Sequence, residues 1–232
     1  MNIDSLERID LYRRPGTPAR ARPLGKPLAS PATPVVFVVD HDAAVREALR
    51  LLGCWAGWQV ETFATAGDFL ARPRAPAPNC LVLDAGLADV SGLEMQQRLA
   101  HRPDMPIIFI AGGSDVRTAV RAMKAGAVEF FTKPLADELL LDAMRHAIER
   151  SRTALAREAE LEALRERHAS LTCRERDVMA LIVCGRLNKQ AGGELGISEI
   201  TVKAHRGKMM RKMSARSLPE LVNMAAKLFP AQ

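Results

Sequence analysis

Three acidic side chains and one lysine carry the clearest chemical signal in this 232-residue chain. Asp40-His41-Asp42 closes one short apolar run, Asp84 closes another, and Lys133-Pro134 follows a third. Carboxylates brought together with an ammonium make a place where one carboxylate can accept a phosphoryl group, while the lysine and a divalent cation offset the developing charge. A second chemistry lies nearer the C-terminus. From Glu199 to about Met213, helical spacing puts Val202, His205, Met209 and Met213 on one face and Lys203, Arg206, Gly207, Met210 and Arg211 on the other. Cations on such a face reach phosphates and guanine edges when the helix lies in a major groove, and are otherwise simply solvated.

Residues this far apart in sequence meet only if secondary structure delivers them. The runs Val35–Val39, Trp58–Thr62, Cys80–Leu83, Ile107–Ile110 and Ala127–Phe131 are of strand length and rich in β-branched or aromatic residues. Between them Ala43–Gly53, Ala66–Ala71, Leu93–Ala100 and Val116–Ala125 have helical periodicity, and a fifth helix begins near Ala136. This predicts an α/β unit, a doubly wound parallel (βα)5 sheet of the flavodoxin-like kind. Such folds bind ligands at the carboxyl ends of the strands, here strands one and three.

The cationic face needs a different frame. Thr172 and Glu175 have capping-box spacing and start a helix predicted to run to about Cys184, where Gly185 stops it. Asn188 caps a short helix through Leu195, Gly196 turns the chain, and Ser198 caps the basic helix. Together these predict an all-α unit of three helices containing a helix-turn-helix. From Ala136 to Ala169 there is neither Pro nor Gly, and Leu140, Met144, Ile148, Leu155, Leu161 and Leu164 mark a loosely spaced apolar face of one long helix. Its charged run from Arg157 to Arg167 suits a solvated surface or the flank of a coiled-coil dimer.

Composition bounds the rest. The first 34 residues hold Pro15, Pro18, Pro23, Pro27, Pro31 and Pro34 among Arg and Ala, which reads as a disordered arm with a conceivable helix near Ile3 to Leu11. They contain no apolar segment resembling a secretory signal, and no run approaches the ~20 apolar residues of a membrane span, so a cytoplasmic protein with no membrane partner is expected. The net charge of +6 is uneven: residues 171–232 carry 11 Lys+Arg against 5 Asp+Glu, and residues 35–150 carry 12 against 15. A basic tail behind an acidic domain suggests a polyanionic partner. Cys54, Cys80, Cys173 and Cys184 have neither CxxC spacing nor an accompanying His pair, and read as buried or incidental thiols.

The segments VVFVVDHDAAVREALRLL, CLVLDAGLADVSGLEM, IIFIAGG and AVRAMKAGAVEFFTKP resemble, in order and spacing, the receiver domain of NarL/FixJ-type response regulators. The resemblance implies Asp84 as phosphoacceptor, Asp40 and Gly86 as members of its acidic pocket, Lys133 as the phosphate-contacting lysine and Phe130 as the aromatic switch position. It also implies a cis Lys133-Pro134 peptide. Two positions depart from the family pattern. His41 stands where a second acidic residue is usual, and Ala111 where a Ser or Thr hydroxyl is usual. Mg²⁺ prefers oxygen ligands, so the imidazole predicts weakened metal binding, and Ala111 offers a phosphoryl oxygen no hydrogen bond.

Three readings of the pocket follow. In one, the receiver no longer uses phosphorylation and acts by constitutive dimerisation, a partner protein or another signal. In the second, a sensor histidine kinase phosphorylates Asp84 and the regulator dimerises in response. In the third, Asp40, His41 and Asp84 hold a softer cation such as Zn²⁺ or Mn²⁺, against the plainer view of His41 as a solvent-facing loop residue. The loop after Asp84 also departs, with Leu87-Ala88-Asp89 where Met-Pro-Gly is common, and its extra carboxylate is expected to repel a phosphoryl donor. A metal-dependent hydrolase is disfavoured, because no oxyanion-forming loop or independent acid–base pair accompanies the cluster. A pure interaction protein would be marked by failure to bind any promoter fragment.

LTCRERDVMALIVCGRLNKQAGGELGISEITVKAHRGKMMRKM resembles the LuxR-type DNA-binding domain, and SLPELVNMAAKL resembles its fourth helix, which implies an all-α four-helix domain. The resemblance implies DNA contacts from Thr201, Lys203, Ala204, Arg206, Gly207 and Lys208, with Arg211 on the same face, and a homodimer reading an inverted repeat. Cys173 replaces the usual first-turn Pro. Gly192 and Gly193 sit inside a helix, where alanines are expected to be roughly 2 kcal/mol better by propensity. The expected organisation is an arm over 1–34, a receiver over 35–150, a helical linker over 151–170 and a helix-turn-helix domain over 171–232.

Overall fold

The computed structural model of the protein describes residues 32–113 and 116–229. The readings made for residues 1–31 lie outside them. Among the described residues β1 (Val35–Val39), β2 (Gln59–Phe63), β3 (Asn79–Asp84), β4 (Ile107–Ala111) and β5 (Glu129–Thr132) form a parallel sheet in the order β2-β1-β3-β4-β5. Between them run α1 (Ala43–Trp55), α2 (Ala66–Leu70), α3 (Gly92–Arg98) and α4 (Val116–Lys124). The expected (βα)5 fold is present.

The inner strands read as unbroken apolar runs because both faces of the sheet are covered. Phe37, Val39, Leu81, Leu83 and Phe109 pack on one side with Phe69 and Met95. The alternate residues Val36, Val38, Val82, Ile108 and Ile110 pack on the other with Leu49, Leu140 and Met144. Cys80 lies in this second core, where burial pushes its thiol up to about 12; Cys54, Cys173 and Cys184 are exposed.

Two strands start later than the residue types suggest, for one reason. Trp58 N–H bonds Gly53 O and Ala127 N–H bonds Ala122 O, closing α1 and α4 respectively. Those amides are spent on helix ends, so bonding to the neighbouring strand starts only after them, at Gln59 N–H to Pro34 O and Val128 N–H to Ile107 O.

α5 (Asp137–Ala169) has 33 residues, about 50 Å at 1.5 Å each. Its first half buries Leu140, Met144 and Ile148 on the sheet. Ser151 is a buried peg that accepts from Asn79 N–H at 2.9 Å and donates to Asp104 O. Further on, Glu158 pairs with Arg74, and Glu160 accepts from Lys227 Nζ at 2.6 Å.

α6 (Cys173–Val183), α7 (Asn188–Leu195), α8 (Glu199–Met213) and α9 (Leu218–Leu228) follow. Leu164 of α5 joins Leu171, Met179, Met209, Met213 and Leu221 in one core, and Val178, Ile182, Ala191 and Val202 make a second. The predicted capping box at Thr172 and Glu175 is formed, Gly196 makes the turn at φ 66°, and Ser198 caps α8.

Three expectations need correction. Asn188 is the first residue of α7 rather than its cap; Leu187 holds the cap position and has no acceptor to offer, so Gln190 Oε1 accepting Leu187 N–H at 2.8 Å is half of a reciprocal cap. Met210 packs against the core around Leu164 instead of facing outward. Gly192 is required: a Cβ there would stand 2.7 Å from Ile197 O, because the turn into α8 returns across the face of α7. Gly193 meets nothing within 4 Å, so the expected gain from alanine survives only at that position.

Candidate functional site

Register brings the pocket together. Val39 pairs with Leu83, so Asp40 and Asp84 emerge side by side, and Ala111 pairs with Thr132, which places Lys133 just beyond the same edge. Asp40 and Asp84 are buried. Lys133 Nζ donates to Asp40 Oδ2 at 2.7 Å, and Asp42 N–H donates to Asp40 Oδ1 at 2.8 Å. Arg46 donates to the carbonyls of Asp40 and His41 at 2.7 and 2.9 Å, fixing the loop. Asp42 itself turns away to cap α1.

His41 is the decisive departure. Its Nδ1 lies 2.8 Å from Asp84 Oδ2, while Gly86 N–H donates to Asp84 Oδ1 at 3.3 Å. An ionised carboxylate only accepts, so Nδ1 carries the proton. Both oxygens of Asp84 are thus engaged, by a side chain that is itself 61% exposed and by a backbone amide.

The remaining positions have defined places. Ala111 is buried, presents only a methyl group, and its carbonyl accepts Lys133 N–H at 2.8 Å. Phe130 is half-buried and stacks on Phe109 with centroids 6.0 Å apart. The Lys133-Pro134 peptide is cis. Asp89 does not face Asp84; its Oδ2 accepts Gly67 N–H at 3.2 Å at the start of α2, so the expected repulsion of a phosphoryl donor has no support.

Asp40, His41 and Asp84 each offer one ligand atom, all within 4.8 Å of one another. The two carboxylates suit a hard divalent cation. The imidazole does not, and Mg²⁺ would compete with His41 for Asp84 and with Lys133 for Asp40. This donor set does not fit Mg²⁺ well.

On α8, Lys203, Ala204, Lys208 and Arg211 are exposed, and Thr201, Arg206 and Gly207 half-buried. Thr201 Oγ1 lies 2.8 Å from Ser198 Oγ, and Lys203 pairs with Glu199 at 2.8 Å. Arg206 Nη1 donates to Asn188 Oδ1 at 3.1 Å across the turn, a contact the sequence reading missed by assigning Asn188 to a cap. Ile200, 79% exposed on the first turn of α8, was also passed over. Lys212 anchors the helix from behind, donating to the buried Glu175 at 2.6 Å; that contact and the Thr172 amide hold the Glu175 carboxyl down at about 2.

Residues 36–145 match the response regulator receiver domain, and 169–225 match the bacterial regulatory proteins of the luxR family. The response regulator TodT of Pseudomonas putida is 42% identical over 195 residues, covering 84% of this chain and 86% of that protein. The chain belongs to the NarL/FixJ-type response regulators. Nodulation protein W of Bradyrhizobium diazoefficiens is 43% identical over the same shares of both chains, and the transcriptional regulatory protein FixJ of that organism is 38% identical, covering 82% of this chain and 93% of its own. The solved structure of the response regulator StyR superposes with a TM-score of 0.73 at 45% identity, covering 84% of this chain and all of that one. This response regulator is therefore a two-component, DNA-binding transcription regulator. Among the described residues no helix is long and apolar enough to cross a membrane.

Proposed function

We propose that this response regulator binds promoter DNA through α8 and that its receiver works without the metal-dependent phosphorylation switch. The observation that carries the proposal is the 2.8 Å contact of His41 with Asp84, which puts a protein N–H where a metal-bound acceptor would need a free oxygen. Ala111 supports it, since a methyl group cannot move to hydrogen-bond a phosphoryl oxygen. Mg²⁺ binds weakly, and output follows from constitutive dimerisation or a partner protein.

Thr201, Lys203, Ala204, Arg206, Gly207, Lys208 and Arg211 form the DNA-facing set. A cytoplasmic homodimer places one α8 in each of two successive major grooves of an inverted repeat. Functional boundaries run at 34, 150 and 170, with α5 as the connector. No separate catalytic reaction is assigned.

A second reading has a specific observation behind it. Asp84 keeps Gly86 and a nearby Lys133 at the same sheet edge, an arrangement that still suits an acylphosphate made by a sensor histidine kinase. Incubation with Mg²⁺ and acetyl phosphate followed by intact-mass measurement separates the two. The proposal expects no added phosphate in the native chain and its appearance in His41→Asp. Stoichiometric addition to the native chain, lost in Asp84→Ala, establishes the second reading instead.

A further inference from the structure

We propose that Asn188 is a positioning residue that aims Arg206 at a base edge, and so sets part of the sequence preference of the DNA-binding domain. The inference rests on the reading of α8 as the groove-entering helix. Asn188 is the first residue of α7, and its side chain crosses to the second turn of α8, where its Oδ1 accepts from Arg206 Nη1 at 3.1 Å. Both residues are half-buried, so the contact is sheltered on one side and open on the other.

The chemistry of the tether matters more than its existence. A guanidinium has five N–H donors in a rigid fork, and one bond to Asn188 leaves four. Because the acceptor is a neutral amide, it fixes the fork without neutralising its charge. Lys203 is the contrast, since its ammonium is paired with the carboxylate of Glu199 at 2.8 Å. Among the described residues no carboxylate pairs with Arg206. A free arginine side chain carries considerable rotamer entropy, which is lost on binding unless the side chain is already held. Arg206 is held before DNA arrives, with its full charge, and with four N–H donors left for acceptors such as the two on a guanine edge.

The test uses the full chain and two duplexes of equal length: one selected from a random pool by the native protein, the other with the selected positions scrambled. Affinities are read by fluorescence anisotropy at several salt concentrations. Asn188→Ala is expected to weaken binding to the selected duplex about fivefold, the usual cost of immobilising one free side chain on binding, with the scrambled duplex unchanged. In an Arg206→Ala background the same change adds nothing. Asn188→Asp keeps the acceptor oxygen but adds a charge, so it keeps the preference and weakens both duplexes alike. Unchanged affinity, equal losses on both duplexes from Asn188→Ala, losses that add to those of Arg206→Ala, or a lost preference in Asn188→Asp would each overturn the proposal. A native chain that enriches no duplex and shows no salt-sensitive binding overturns the DNA-binding reading itself.

Discussion

In the receiver pocket, each buried carboxylate is met by an N–H group from its own chain, Asp84 by His41 and Asp40 by Lys133. On α8 the treatment of charge is different: Lys208 and Arg211 are exposed, and Arg206 leans on a neutral amide. One region has closed its electrostatic account internally, while the other keeps positive charge available to an outside partner. The departures from the family pattern follow the same division. In the receiver two of them fall on the chemistry, at His41 and Ala111, and the third reshapes the loop at Leu87-Ala88-Asp89. In the helix-turn-helix they fall on helix interiors and a first turn, at Gly192, Gly193 and Cys173. On the proposed reading, the input of this regulator is altered and its output surface is retained.

Five substitutions sharpen or break that contrast. The largest effect is expected from His41→Asp, which restores an oxygen donor and frees Asp84. Calorimetric titration should show Mg²⁺ affinity rising by at least about tenfold, since even outer-shell changes shift metal affinity that much. Equal Mg²⁺ affinity in both proteins would place the weakness of the pocket elsewhere. On the DNA side, Gly192→Ala should cost about 2 kcal/mol, because its Cβ would meet the Ile197 carbonyl at 2.7 Å. Gly193→Ala should stabilise by up to about 1 kcal/mol. Denaturant unfolding that ranks the two the other way would refute the close approach of α7 to the turn.

Leu187→Ser comes next. The serine hydroxyl can accept a free amide at the start of α7, and the exposed leucine, at 69%, has little packing to lose. A gain of about 1 kcal/mol is expected by the same unfolding measurement; a loss would mean that Leu187 packs in a way its exposure denies. The smallest and most local effect concerns Glu175. Its carboxyl lies at about 2, chiefly through the Lys212 hydrogen bond, against 4.5 for the ordinary group. A carboxyl lowered on folding contributes stability that is complete above its unfolded value and is lost as pH falls. The helix-turn-helix should therefore weaken as pH drops from about 4.5 toward 2, and Glu175→Gln should flatten that acid limb. An unchanged pH profile in Glu175→Gln would mean that Lys212 does not hold α8 through this carboxylate.

Strand patterning and helix signals made most of the fold legible. Unbroken runs such as Val35–Val39 and Ile107–Ala111 are buried on both faces, and local signals such as Thr172 with Glu175 act within one turn. The pocket's membership was also readable, because register alone sets Asp40, Asp84 and Lys133 at one edge. Partnerships were not. Nothing near Asn188 in sequence says that its side chain serves Arg206, 18 residues away, and Asp89 looked like a neighbour of Asp84 until α2 supplied its amide. Gly192 misled for the same reason, since helix propensity is a local quantity and the clash that forbids alanine comes from the next element.

The central claim is that DNA binding is independent of phosphorylation at Asp84. Its most direct test is the affinity of the full chain for its selected duplex, measured with and without Mg²⁺ and a phosphodonor, in the native protein and in Asp84→Ala. The account predicts the same salt-dependent affinity in all four cases. A tightening that needs the phosphodonor and disappears in Asp84→Ala would contradict it.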